Sequence, residues 1–253
     1  MPEQWNGMDL HPTSILLRKL SSLGPLTAKE RQMVEELPMH VREAGPDQDL
    51  VREGDRLGNC LLVLEGFCCR YKALADGRRQ ILSFSIPGDF LDLPGFLLPE
   101  LDHSIGTLTQ VRLAAISHSA LAEWAQHANL ARLLWRDTLV DGAIYREWVL
   151  NVGRRTAYQR VAHVLCELAT RLQAVGLARN GLWDMRITQG ELADATGLST
   201  VHVNRVIQEL RRGGLIELRG GSFSARDWEA LKLAAGFEPS YLQLDNHRRE
   251  RIA

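Results

Sequence analysis

One segment constrains this chain more than any other: Ile187–Arg212, ITQGELADATGLSTVHVNRVIQELRR. Thr188 with Glu191 three residues later is a capping-box pattern, in which each side chain satisfies a backbone N–H that the first turn of a helix leaves open. Gly197 permits the left-handed backbone that a tight turn between two helices needs. Ser199 is placed to cap a second helix and Gly213-Gly214 to end it. In that helix Val203, Val206, Ile207 and Leu210 repeat at core-stripe spacing. At about 100° per residue, Val201, Arg205, Gln208 and Arg212 fall on the opposite side, with Asn204 at its edge and Thr200 in the first turn.

This is the layout of a helix-turn-helix whose second helix enters a major groove. Arg pairs bidentately with guanine O6/N7, and Asn or Gln with adenine N6/N7. An ordinary solvated amphipathic helix would share the polar face, but not the capped helix and glycine turn ahead of it. Leu215–Arg219 and Ser222–Ser224 flank Gly220-Gly221 as a hairpin, so the module reads as a winged helix. The candidate DNA-binding residues are Thr188, Ser199, Thr200, Val201, His202, Asn204, Arg205, Gln208, Arg212 and Arg219. Arg219, on the hairpin, suits phosphate, a contact that positions without specifying sequence. His202 suits a phosphate bond or a packing role equally.

Charge agrees. Residues 154–226 hold eleven arginines, no lysine and six acids, in a chain whose formal net charge is −1. A basic module in a near-neutral chain implies local phosphate binding, not a chain-wide nucleic-acid coat. A hydrophobic share of 45% and a charged share of 24% are those of an ordinary globular protein. No run reaches the apolar length of a membrane span, and the first residues show no signal-peptide core, so a cytoplasmic location is expected. The four cysteines, Cys60, Cys68, Cys69 and Cys166, show no metal-ligand spacing and are expected reduced.

Upstream, residues 12–38 read as helical, with a second capping box at Thr27 and Glu30 and Leu26 placed as its hydrophobic staple. From about His40 to Ile116, short apolar runs alternate with turn signals, among them Asp76-Gly77, a strong hairpin marker. That texture predicts an all-β roll or sandwich. After Ser119 the pattern turns helical again. Leu130, Leu133, Leu134, Trp135, Leu139, Val140, Ile144, Trp148 and Val149 occupy more than one face, so the helix must be covered on more than one side. A partner's helix would cover the second, which predicts a symmetric dimer. Asn151–Thr156 reads as a hinge, Ala157–Leu177 as a helix and Trp183–Ile187 as a short strand. The expected organisation is α+β: a sensory β-roll at 12–118, a dimerisation helix and hinge at 119–153, a winged helix-turn-helix at 154–236 and, at 237–253, a tail with no assigned role.

A β-roll, a long helix and a C-terminal winged helix in this order resemble the CRP/FNR family of bacterial transcription regulators over roughly residues 15–235. The carrying residues are EGD at 53–55, LEG at 64–66, GDF at 88–90 and ITQGELADATGLSTVHVNRVIQEL at 187–210. The last is the most specific. The resemblance implies a homodimer on a palindromic operator, contact with RNA polymerase, and a roll with a cyclic-nucleotide-binding-like fold.

The departures bear on the input. Where cyclic-AMP-binding relatives carry a Glu for the ribose and an Arg-Ser pair for the phosphate, this chain has Leu93 and His103-Ser104. Leu accepts no hydrogen bond, and a largely neutral His lacks the Arg fork. The adenine-contacting pair of the long helix falls at Tyr145-Arg146. The site chemistry argues against a cyclic nucleotide, although His103, Ser104, Tyr145 and Arg146 stay candidates for an effector pocket, for example for another anion. No N-terminal cysteine cluster for iron–sulfur and no Cys/His pair after the GD motif for haem is present, so no cofactor is evident. Cys68-Cys69 has two readings. Alternation on a strand predicts one buried and one exposed thiol, and Arg70 beside the exposed one would make a redox sensor; otherwise both are small hydrophobic core residues. In the recognition helix the family's Glu–Arg pair four residues apart becomes Val201 and Arg205, so Arg205 is expected to read guanine and Val201 to meet a thymine methyl. No catalytic constellation is visible. The leading expectation is a homodimeric transcription regulator, and the alternative an effector- or redox-sensing module acting on a protein partner.

Overall fold

The computed structural model describes residues 11–179, 181–219 and 221–244. Two helices open it, α1 (Pro12–Leu23) and α2 (Ala28–Glu35). The helical stretch expected at 12–38 is divided because Pro25 has no N–H to continue a helical ladder. Thr27 and Glu30 close the second capping box, and Leu26 is buried beneath it.

Seven strands follow: β1 (His40–Ala44), β2 (Asp49–Val51), β3 (Asn59–Glu65), β4 (Cys68–Ala73), β5 (Arg79–Ser85), β6 (Ser104–Thr107) and β7 (Val111–Ser117). They form two antiparallel sheets, ordered β1-β7-β3 and β2-β6-β4-β5. Asp76-Gly77 lies in the turn from β4 to β5. Gly66 joins β3 to β4 at φ +82, where a Cβ would come within 2.3 Å of the Gln110 carbonyl oxygen. Only glycine fits both that backbone and that space.

β3 reads as one apolar run because both its faces are covered. Leu61 and Val63 point into the roll with Val51, Cys68, Ile105, Val111 and Leu113. Cys60, Leu62 and Leu64 point outward, into a larger core shared with the helices. Successive strand residues face opposite sides, so two cores consume the whole run.

Ser117 caps α3 (His118–Ala125), which leads into the 27-residue α4 (Ala128–Arg154). Leu130, Leu133, Leu134, Asp137, Val140, Ile144, Trp148 and Asn151 line its buried face. Trp148 meets Phe84 of β5 edge-on at 5.6 Å. The hinge expected at Asn151–Thr156 is narrower than that. Buried Asn151 donates to the Arg160 carbonyl and holds the last turn helical, leaving Arg155 (ψ 150) as the extended joint before Thr156 caps α5 (Ala157–Ala174).

The C-terminal module comprises β8 (Ala178–Arg179), β9 (Leu182–Asp184), α6 (Gln189–Thr196), α7 (Thr200–Arg212), β10 (Ile216–Arg219), β11 (Ser222–Ala225) and α8 (Trp228–Ala235). Its sheet runs β10-β11-β9-β8, so the expected hairpin is half of a four-stranded wing. Two-residue β8 is too short to show any periodicity. The tail, left without a role by the sequence reading, is packed in its first part. Phe237 and Leu242 are buried, and the Tyr241 hydroxyl donates to Glu167 Oε2 at 2.7 Å. Its aromatic residues supply the apolar area that anchors it. Residues 245–253 lie outside the described residues.

Candidate nucleic-acid interface

α6 and α7 are built as their caps dictate. The Thr188 N–H donates to Glu191 Oε2 at 2.5 Å, and Glu191 N–H donates to Thr188 Oγ1 at 3.2 Å. Gly197 ends α6 at φ +65, the left-handed turn that L side chains resist. Ser199 Oγ accepts from His202 N–H at 3.2 Å and starts α7. Ser199 spends only acceptor capacity on its cap, whereas the Thr188 hydroxyl also bonds the Glu191 carboxylate.

Val203, Val206, Ile207 and Leu210 bury one face of α7. Thr200, Val201, His202, Asn204, Arg205 and Arg212 are exposed on the other, with Gln208 half-buried between. Val201 keeps 64% of its surface exposed. Arg205 has no hydrogen-bonding or ionic partner among the described residues, so its fork is unspent. The Arg212 Nε instead donates to the Gln208 carbonyl at 3.3 Å, which lays that side chain along its own helix. The side chain of Arg219 lies outside the described residues.

Four residues, Gln189, Arg160, Arg79 and Gln80, escaped the sequence reading. Asn204 Nδ2 donates to Gln189 Oε1 at 3.0 Å, which ties this exposed amide to the first residue of α6. Arg160 Nη1 donates to the Thr196 carbonyl at 3.1 Å and closes the end of α6. From the roll, Arg79 Nε reaches Asp194 Oδ2 at 2.7 Å, and Gln80 Nε2 donates to the Ala195 carbonyl at 3.1 Å. Gln189 is legible only as the first helical position after the Thr188 N-cap. The others depend on contacts that sequence spacing does not encode.

The candidate effector residues are already engaged or turned away. His103 is buried, and its Nδ1 lies 2.8 Å from Asp102 Oδ1. Burial holds its imidazole below the usual range against that bond. Ser104 Oγ accepts from Glu53 N–H at 3.1 Å. The Tyr145 hydroxyl accepts from Arg70 Nη1 at 3.3 Å. Arg146 is exposed on the opposite side of α4, without a partner among the described residues. Leu93 is buried and apolar.

The expectation of one exposed thiol at Cys68-Cys69 is corrected. Both are fully buried, Cys68 inside the roll and Cys69 in the outer core, because β4 is covered on both faces. Burial pushes the Cys69 thiol up to about 12 and Cys68 up as well. Neither is an accessible thiolate, and both behave as small apolar residues. Arg70, expected to activate one of them, is spent elsewhere. It donates to the Leu91 and Phe90 carbonyls at 2.9 and 2.6 Å and pairs with Asp141 at 3.0 Å.

Residues 159–234 match the Crp-like helix-turn-helix domain, and residues 41–128 match the cyclic nucleotide-binding domain. The nitrogen fixation regulation protein FixK of Bradyrhizobium diazoefficiens is 32% identical over 167 residues, 65% of this chain and 69% of that one. The transcriptional activator protein FnrL of Cereibacter sphaeroides is 29% identical over 177 residues, 68% of this chain and 71% of that one. The solved structure of FixK2 from Bradyrhizobium japonicum superposes with a TM-score of 0.72 at 25% identity, covering 80% of this chain and 100% of that one. No helix among the described residues is long and apolar enough to cross a membrane.

Proposed function

The chain belongs to the CRP/FNR family of transcription regulators, DNA-binding proteins and not enzymes, and from that premise we propose that it acts as a homodimer on a two-fold operator. The observation that carries this reading is the exposed outer face of α7, with Arg205 lacking a partner among the described residues, opposite a buried stripe. The second apolar face of α4, Trp135, Leu139, Val149 and Leu150, supports the dimer. Two recognition helices would then enter successive major grooves about 34 Å apart. Arg205 reads a guanine in each half-site, Asn204 and Gln208 have the chemistry for adenine, and Val201 meets a thymine methyl. Thr188, Ser199 and Thr200 hold phosphate, and the bound regulator touches RNA polymerase.

Control by a cyclic nucleotide is not part of the proposal. Leu93 offers no acceptor for a ribose, and Tyr145 is tied to Arg70 instead of facing an adenine. The test is selection of bound sequences from a random DNA pool by the purified protein. A two-fold motif with one guanine lost in Arg205→Ala is expected, at a cost of about 1–3 kcal/mol per half-site. Equal loss on every sequence would make Arg205 a phosphate contact, and no enrichment at all would overturn operator reading by the purified protein.

A further inference from the structure

The β4–β5 hairpin makes contacts at both ends. Near its root, buried Arg70 holds α4 through Asp141 Oδ2 at 3.0 Å and the Tyr145 hydroxyl at 3.3 Å. Its remaining donors go to the Phe90 and Leu91 carbonyls, so the guanidinium is fixed in the roll. At the far end, Arg79 and Gln80 hold α6. Arg79 Nε lies 2.7 Å from Asp194 Oδ2, and its guanidinium stands 5.8 Å over the Tyr71 ring. Gln80 Nε2 donates to the Ala195 carbonyl at 3.1 Å.

Ala195 is the penultimate residue of α6, where a helix leaves its carbonyls without internal donors. A side chain of the roll therefore completes the first helix of the DNA reader. Beneath these polar contacts, Ala193 and Ala195 share one buried core with Ile81 and Phe84. The antiparallel ladder, with one register shift between Arg70 and Tyr71, joins the two ends by pairing Arg70 with Ser83, Lys72 with Gln80 and Ala73 with Arg79. Turning the reader against the roll would break an ion pair, strand a carbonyl and open apolar surface together.

We infer that this hairpin is a strut from the long helix to the helix-turn-helix, and that it sets the half-site spacing the dimer accepts. The path runs from the α4 surface through Asp141 and Tyr145 to Arg70, along β4 and β5, and through Arg79 and Gln80 to α6. It bypasses the joint at Arg155. Arg79 and Gln80 are positioning residues that touch no DNA. The inference rests on the homodimeric operator reading above.

The test measures affinity for operators with identical half-sites and a central gap changed by one base pair in either direction. One base pair rotates and shifts the half-sites, so a rigid dimer should favour one gap by about tenfold. In Arg79→Asp, and separately in Gln80→Ala, that preference is expected to shrink several-fold while base preference within the half-site stays unchanged. The reciprocal pair Arg79→Asp with Asp194→Arg should restore it. Circular dichroism and thermal unfolding identify any variant that has lost its fold, and Gln80→Ala then carries the measurement. An unchanged gap preference in folded variants overturns the strut alone. Equal binding of all gaps by the unmodified protein overturns the two-fold reading with it.

Discussion

His163 is fully buried on α5, stacked on Tyr241 with ring centroids 6.0 Å apart and edge-on to Phe237 at 5.2 Å. Its Nε2 lies 3.3 Å from Glu147 Oε1, yet neither ring nitrogen has a hydrogen-bond partner among the described residues. Burial, and then the charge of Arg155 paired to the same glutamate, push the imidazole down to about 3. The folded protein keeps this ring neutral where the unfolded chain, at about 6.5, would protonate it. The stability it protects is complete above about pH 6.5 and falls as pH drops toward 3, because the unfolded state binds the extra proton. Chemical denaturation at pH 7.5 and 5.5 should show an acid loss of about 1 kcal/mol that His163→Phe removes. An identical loss in both proteins would place the titration elsewhere. The sequence marked His163 only as a position in an amphipathic helix. Its neutrality comes from the tail that covers it.

At the scale of elements, α4 carries a second pattern that its buried face does not use. Trp135, Leu139, Gly142, Arg146, Val149 and Gly153 follow one another at alternating spacings of four and three, the spacing of a coiled-coil seam, with Trp135, Leu139 and Val149 as its apolar members. Trp135 and Leu139 keep 65% and 63% of their surface exposed. Trp135→Glu with Leu139→Glu should convert a dimer to a monomer by light scattering. Operator affinity should fall at least about a hundredfold, since each half-site then binds without its linked partner. A dimer surviving this pair would put the interface on another face. That α4 needs covering on two sides was legible, because helical periodicity sorts its residues into faces. Which face takes the roll was not, because both are apolar.

For the whole molecule, the joining element is a buried charge cluster around Asp89 of the GDF motif. Lys19 of α1 lies 2.7 Å from Asp89 and 3.0 Å from Asp137 of α4. Arg171 of α5 lies 2.6 Å from Asp89 and 3.3 Å from Glu167, which also accepts from the Trp148 indole and the Tyr241 hydroxyl. Burial by itself would raise the Asp89 carboxyl, but Lys19 and Arg171 hold it down to about 2. Asp89→Asn leaves two buried cations short of a counter-charge and should cost about 3–5 kcal/mol. Because Asp89 ties α1 and α5 to the roll, calorimetry should also show one unfolding transition becoming two. A single, undisplaced transition would mean that the cluster is a passenger in the packing.

What the sequence determined by itself is local: the capped helices of the reader, the Gly197 turn, the two faces of α7 and the turns of the roll. Each depends on residues within about four positions of one another or on one backbone angle, and spacing records both. Tertiary structure decided what lies across from each face. Cys68 and Cys69 are both inert because two different cores cover β4. Arg79 meets Asp194 across 115 positions, and Lys19 meets Asp89 across 70. Such pairs leave no periodic trace in the chain, since they exist only once separate elements have packed together.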